Sequence, residues 1–181
     1  MEKAIKILDK TFIPFITGES IKHKIKSLAD QINKDYQGKK PLLISILNGS
    51  FIFTADLFKE LTIDAEICFI KLASYKGTQS TGHTITSIGL DANIKGTDII
   101  VIEDIIDTGN TLNTFLPQLM DQQPASLKVA VMLFKPDSIK YKVPIDYCCF
   151  HIPNKFVVGY GLDYDGYGRN LKEIYQLQNN D

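Results

Sequence analysis

The stretch Asp98-Ile99-Ile100-Val101-Ile102-Glu103-Asp104-Ile105-Ile106-Asp107-Thr108-Gly109-Asn110-Thr111 constrains this chain more than any other. Its β-branched opening predicts a strand buried on both faces, as in a parallel sheet. Two adjacent carboxylates, Glu103 and Asp104, stand at the carboxyl end of that strand. Asp107 follows in a turn rich in hydroxyls and backbone donors, and Leu112 to Leu119 reads as a helix. The turn therefore precedes a helix N-terminus, where uncapped amides make a phosphate cradle. Carboxylates beside it suit Mg²⁺ or sugar hydroxyls. The pattern points to a nucleotide or sugar-phosphate site, built where open α/β sheets bind ligands. A solvated β–α loop also carries aspartates by chance, so the generic pattern alone leaves that plainer reading open.

The chain has 181 residues, enough for one domain with a full core. A net charge of -1 gives no bulk attraction to nucleic acid or anionic membrane, so neither is expected as a partner. No apolar run approaches a membrane span, and the N-terminus lacks a signal-peptide apolar region, so a cytoplasmic protein is expected. Cys68, Cys148 and Cys149 show neither a disulfide framework nor zinc spacing. His23, His83 and His151 form no metal cluster or dyad in sequence.

Residues 1–17 are mixed, with Ile5 to Leu8 a short strand or an interface arm. Thr17 or Gly18 opens an amphipathic helix over Glu19 to Ile32, with Ile21, Ile25, Leu28 and Ile32 on one face. Pro41 to Leu47 is an apolar strand, followed by Asn48-Gly49-Ser50 and a helix from Phe51 to Leu61. Ala65 to Ser74 is a second core strand. Tyr75 to Ile94 is polar, with Thr84 to Ile88 able to pair as a ribbon. A loop of this length is a lid or a merely floppy segment. Lys128 to Phe134 is a further strand, Lys135-Pro136-Asp137 a turn, and Tyr147 to Phe150 a short strand. The sum is α/β: roughly five parallel strands covered by few helices. Taken singly, Lys135 is a solvated strand-end lysine and Phe156-Val157-Val158 is core. The tail from Asp163 to Arg169 mixes both charges with two glycines and two tyrosines, which suggests a site.

Glu103-Asp104-Ile105-Ile106-Asp107-Thr108-Gly109-Asn110-Thr111 and Pro153-Asn154-Lys155-Phe156-Val157-Val158-Gly159-Tyr160 resemble the purine phosphoribosyltransferases, specifically the bacterial-type hypoxanthine/guanine branch. The resemblance runs in four ordered segments from Leu42 to Leu171. It implies a type I phosphoribosyltransferase fold, a mostly parallel twisted sheet flanked by helices, with a small hood over the base. The single domain would span 1–181, with a core of approximately 35–150, a hood from the N-terminal segment and approximately 151–181, and a mobile lid of approximately 76–93. The implied reaction joins N9 of hypoxanthine or guanine to 5-phosphoribosyl 1-diphosphate, giving the nucleoside monophosphate and pyrophosphate.

The same resemblance implies roles. Asp107 would accept the N7 proton. Glu103 and Asp104 would orient the ribose hydroxyls, and Asp107, Thr108, Gly109, Asn110 and Thr111 would hold the 5′-phosphate. Asn48, Gly49, Ser74, Tyr75 and Arg169 would contact pyrophosphate, with a cis peptide expected at Leu47-Asn48. Lys135 would donate to the purine O6, Phe156 would stack on the ring, and Val157 would offer backbone groups to the base edge. Asp163 would approach the purine and ligate Mg²⁺, with Glu103 and Asp104 contributing, directly or through water. Asn48 and Ala73 stand where some members carry lysine. A homodimer or homotetramer is expected, with Phe51, Phe53 and Phe58 as surplus apolar residues. The alternatives are a xanthine-preferring transferase and a non-catalytic regulatory or RNA-binding protein of the same fold. Net charge and the retained Lys135, Asp163 and Arg169 argue against the latter.

Overall fold

A computed structural model describes residues 3–74, 85–88 and 93–178, with the backbone alone described at 73, 74 and 85–88. In chain order, strands β1 (Ile5–Ile7) and β2 (Lys10–Ile16) form a hairpin, followed by helix α1 (Gly18–Asp35). Strand β3 (Leu42–Leu47), helix α2 (Phe51–Glu60), and strands β4 (Glu66–Ser74) and β5 (Ile85–Ile88) come next. Then come β6 (Asp98–Ile106), α3 (Asn110–Met120), β7 (Ser126–Phe134), β8 (Tyr147–His151), β9 (Val157–Val158) and β10 (Ile174–Leu177).

The main sheet has the order β5-β4-β3-β6-β7-β8. Strands β4, β3, β6, β7 and β8 are parallel, as expected, and β5 adds an antiparallel edge beside β4. Both faces are buried. Leu43, Ile100, Ile102, Ala130 and Met132 pack under α1 and α2, against Ile25, Ile32, Phe53 and Leu57. Ile44, Ile46, Ile99, Val101, Val129 and Val131 pack on the other face, against Leu112, Phe115 and Leu119 of α3. This is why Ile99 to Ile102 shows no polar alternation: each side has a helix to meet.

Helix α1 begins at Thr17, whose hydroxyl accepts from the Ser20 amide at 3.2 Å. Its buried stripe is Ile21, Ile25, Leu28, Ala29 and Ile32, and it runs to Asp35. There Asp35 accepts from the Tyr147 hydroxyl at 2.7 Å, tying the helix end to β8. Of the three phenylalanines expected to be surplus, Phe53 is fully buried and Phe58 packs on the core, so only Phe51 stays exposed. Thin cover over the sheet is completed by these rings within one chain.

A second sheet, β1-β2-β10-β9, joins the two ends of the chain. The sequence reading found no strand over Lys10 to Ile16, where Pro14 interrupts the pattern. The register explains the tolerance. Gln178 donates its amide to the Thr11 carbonyl, so Thr11 and Ile13 face β10, while Phe12 and Pro14 face the β1 side. The β1 ladder ends at Ile5 opposite Phe12, so the missing Pro14 amide falls beyond it.

Ile100 is fully buried in the central strand under α1 and α2. Ile100→Ala is expected to lower unfolding stability by about 2–5 kcal/mol, through lost transfer energy plus a cavity. Urea unfolding monitored by circular dichroism checks this, and a loss below about 1 kcal/mol would mean the sheet centre is not tightly packed.

Candidate functional site

The strand order creates a crevice. From β3 the chain goes outward to β4, then returns to place β6 on the other side of β3. The β3–β6 ladder stops at Ser45 opposite Ile102. Beyond it β3 stays paired with β4 up to Leu47 and β6 stays paired with β7 up to Ile106. The two strands part, and their carboxyl ends open the switch-point crevice of an α/β sheet.

Glu103 and Asp104 lie on the β6 side of this opening. On the β3 side, the Leu47-Asn48 peptide is cis, as the resemblance implied. Asn48 is exposed and Gly49 is buried. A Cβ at Gly49 would collide with the Asp104 carboxylate, and one at Gly161 would collide with the Gly49 carbonyl. Backbone therefore rests directly on the carboxylate, and hood backbone rests on that. Arg169 closes the stack: its guanidinium donates to the Gly161 carbonyl and pairs with Asp163 Oδ1, each at 2.7 Å. Asp163 Oδ2 accepts from the Gly166 amide at 2.7 Å.

The electrostatics are unusual at the base of the stack. Burial, then the neighbouring Asp104, push the Glu103 carboxyl well above its ordinary range. Asp104 is also raised by burial, against the opposing pull of hydrogen bonds from Glu103 and the Ile105 amide and of the Arg169 charge. Oε2 of Glu103 is closed off with no hydrogen-bond partner. Two hard oxygen donors short of a counter-cation are what Mg²⁺ binds. Among the described residues no group of three or more metal-binding side chains gathers. That also fits Mg²⁺, which commonly takes one or two carboxylates and fills its shell with water and phosphate oxygens.

The 107–111 loop turns sharply after β6. Gly109 has φ of 79°, and a Cβ there would strike the Tyr141 carbonyl. Thr108 is pinned from the far side, its carbonyl accepting from the Lys140 and Tyr141 amides at 3.0 Å each. Gly109 has no side chain with which to cap α3; the Asn110 amide donates to the Thr108 hydroxyl at 3.4 Å, while the next amides, of Thr111 and Leu112, keep their donors for a ligand. A cavity of about 90 Å³ is lined by Glu103 and by Ile105 to Leu112. Lys135, 6% exposed, pairs with Asp107 Oδ2 at 2.9 Å. The default of a solvated lysine is thereby corrected: it is a buried cation with one specific partner.

Phe156 is 46% exposed in the hood and packs edge-on against Tyr164. The Leu177 amide donates to the Phe156 carbonyl, so the Val157 amide and carbonyl point to the outer edge of β9, beside which no strand lies among the described residues. Ser74 is described in backbone only, at the end of β4. Tyr75 and most of the expected 76–93 lid lie outside the described residues. The resemblance implied an N-terminal part of the hood without naming residues in it: Phe12 packs on Phe156 and Tyr164, Lys10 Nζ stands 4.6 Å from the Tyr164 ring centre, and Asp9 accepts from the Tyr164 hydroxyl. The sequence signal for it was one hairpin masked by Pro14.

Comparison with known proteins gives a consistent picture. Residues 17–165 match the family model described as phosphoribosyl transferase domain. A hypoxanthine-guanine phosphoribosyltransferase of Streptococcus pyogenes is 43% identical over 156 residues, covering 86% of this chain and 87% of its own length. One from Lactococcus lactis is 41% identical over 175 residues, covering 96% and 95%. The crystal structure of a hypoxanthine-guanine phosphoribosyltransferase from Bacillus anthracis superposes with a TM-score of 0.84 at 37% identity, covering 91% of this chain and 96% of that one.

Because both carboxyls are raised, the folded protein binds protons that the unfolded chain has released. Stability therefore falls as pH rises from the ordinary carboxylate range through the raised values. Glu103→Gln removes the charge at nearly constant shape. In metal-free buffer it should raise Tm at pH 8, by about 2–4 °C for each kcal/mol relieved, with the gain shrinking toward pH 4. Calorimetric scans across that range check this; an equal shift at both ends would remove the electrostatic cause.

Proposed function

The chain belongs to the phosphoribosyl transferase domain family, and on that premise we propose that it transfers the 5-phosphoribosyl group from 5-phosphoribosyl 1-diphosphate to N9 of hypoxanthine or guanine, a purine-salvage reaction. The observation that carries this is the folding of Glu103 and of Ile105 to Thr111 around one cavity, at a helix start with no N-cap side chain and with Lys135 bonded to Asp107. The relatives' names support the choice of base.

The charges of the reaction set the roles. The N9–C1′ bond forms as the bond from C1′ to the diphosphate oxygen breaks, leaving positive charge on the ribose and negative charge on the leaving group. Amides at the start of α3, with the Thr108 and Thr111 hydroxyls, bind the 5′-phosphate. Glu103 and Asp104 accept from the ribose hydroxyls. Lys135 donates to the purine O6, and this takes the ammonium away from Asp107, which then accepts the N7 proton. A 6-amino base offers no acceptor there, so the same exchange selects the base. Phe156 stacks on the ring, and the outward amide and carbonyl of Val157 meet its edge. The Asn48-Gly49 backbone and the Arg169 guanidinium, fixed by Gly161 and Asp163, clamp the diphosphate. Ser74 and Tyr75 join that set. Magnesium, held by Asp163 and, directly or through water, by Glu103 and Asp104, supplies charge neutralisation of the leaving diphosphate when bound. Both Asp163 oxygens keep a lone-pair site beside the hydrogen bonds they already accept.

Cytoplasmic location and assembly into a homodimer or homotetramer belong to the same proposal. No helix among the described residues is long and apolar enough to cross a membrane. Phe51 and Phe69, each 40% exposed, are among the apolar residues available to an interface.

Incubation with 5-phosphoribosyl 1-diphosphate, Mg²⁺ and each free base tests the proposal. Hypoxanthine and guanine should yield IMP and GMP, and adenine should yield no nucleotide. No product from any base would overturn it. Asp107→Asn should slow single-turnover nucleotide formation by about 10²- to 10⁴-fold, or about 3–5 kcal/mol, with a much smaller effect on diphosphate-substrate binding. Thr111→Ala should instead raise KM for that substrate. A near wild-type chemical rate in Asp107→Asn would mean the proton leaves by another route.

A further inference from the structure

The loop that would meet the diphosphate is tied down by a chain of buried hydroxyls whose donor order can be worked out. Ser45 on β3, Ser50 just before α2 and Thr54 within α2 are all completely buried. The Ser50 hydroxyl donates to the Ile46 carbonyl, which can only accept. Each hydroxyl has one hydrogen, so Ser45, 2.7 Å from Ser50, must be the donor in that pair. Thr54, 2.8 Å from Ser45, must then donate to Ser45. The order is Thr54 to Ser45 to Ser50 to the Ile46 carbonyl, with no hydrogen left over.

Ser50 departs from the usual behaviour of a serine in its position. A serine preceding a helix normally accepts from the first-turn amides. Here no side chain caps α2, because the hydroxyl is turned back to β3. The Ser50 carbonyl still accepts from the Thr54 amide at 2.8 Å, so the residue is fixed at both its side chain and its backbone. Leu47, Asn48 and Gly49 are thus strung between two anchors, Ile46 and Ser50. The Gly49 backbone has no slack either, resting on the Asp104 carboxylate.

We propose that this hydroxyl chain positions the Asn48-Gly49 backbone for the diphosphate group, with Ser50 the positioning residue next to the loop and Ser45 and Thr54 its support. The inference rests on the transferase reading, in which that backbone contacts the diphosphate. It deepens that reading by assigning a role to three buried side chains that touch no substrate.

The polarity of the chain makes the test specific. Removing a link should matter more the nearer it lies to the loop, so the effect should fall in the order Ser50→Ala, Ser45→Ala, Thr54→Val, while Thr54→Ser restores the hydroxyl and behaves as wild type. Calorimetric titration with 5-phosphoribosyl 1-diphosphate and Mg²⁺ reads the site without turnover. Ser50→Ala should weaken that affinity by about 5- to 20-fold and leave KM for hypoxanthine within about twofold. Where Ser50→Ala does not fold, the Thr54→Val and Thr54→Ser pair carries the test. A lowered Tm with unchanged diphosphate-substrate affinity across the series would overturn the proposal, leaving the hydroxyls a structural part of the core. Gly49→Ala is the control for the underlying reading. If wild type binds the ligand and Gly49→Ala leaves the affinity intact, the loop is not the diphosphate contact and both fall. If Gly49→Ala abolishes binding while Ser50→Ala does not weaken it, only the positioning role falls.

Discussion

No side chain separates the Asp104 carboxylate from the backbone above it, and the rest of the site depends on that closeness. Asp104, the Gly49 backbone, the Gly161 backbone and the Arg169 guanidinium form one column from main sheet to hood. The column explains why glycine stands at both of its backbone steps. It also bears on the electrostatics, since the loop backbone lies directly on the Asp104 carboxylate and helps keep water from it. Desolvation of Asp104 and proximity of the loop are therefore one constraint seen twice.

Two cations of the site are held by carboxylates. Lys135 is paired with Asp107 and Arg169 with Asp163. On the proposed reading, neither of these two charges is free to draw a polyphosphate. The attraction assigned there to amide groups at a helix start and to backbone in the loops does not depend on them. Such donors are fixed by the fold and need no reorganisation when charge develops.

Much of this was legible because it is contiguous in the chain. Asp98 to Thr111 contains a strand, its carboxylates, a turn and a helix start, and each follows from local residue types. Helix α1 was legible from its apolar spacing. What escaped depends on residues far apart. The hairpin ending in β2 hides behind Pro14, whose tolerance follows from where the β1 ladder stops. The contact of Gly161 with Gly49 joins two glycines that nothing local connects. Ser45 reads as an interruption of an apolar strand, although it is a link between strand and helix. Phe53 and Phe58 looked surplus only because the depth of the α2 packing is not written in the sequence.

The hood is closed by β10, the last strand of the chain, which lies between β2 near its beginning and β9. Its first and final segments thus meet side by side over a core assembled from everything between. During synthesis the hairpin emerges well before its partner, so the sheet around Phe156 can be finished only once Ile174 to Leu177 have been made. A chain cut short before Ile174 would keep every carboxylate of β6 and the full 107–111 loop, yet have no β10 to join its N-terminal hairpin to β9.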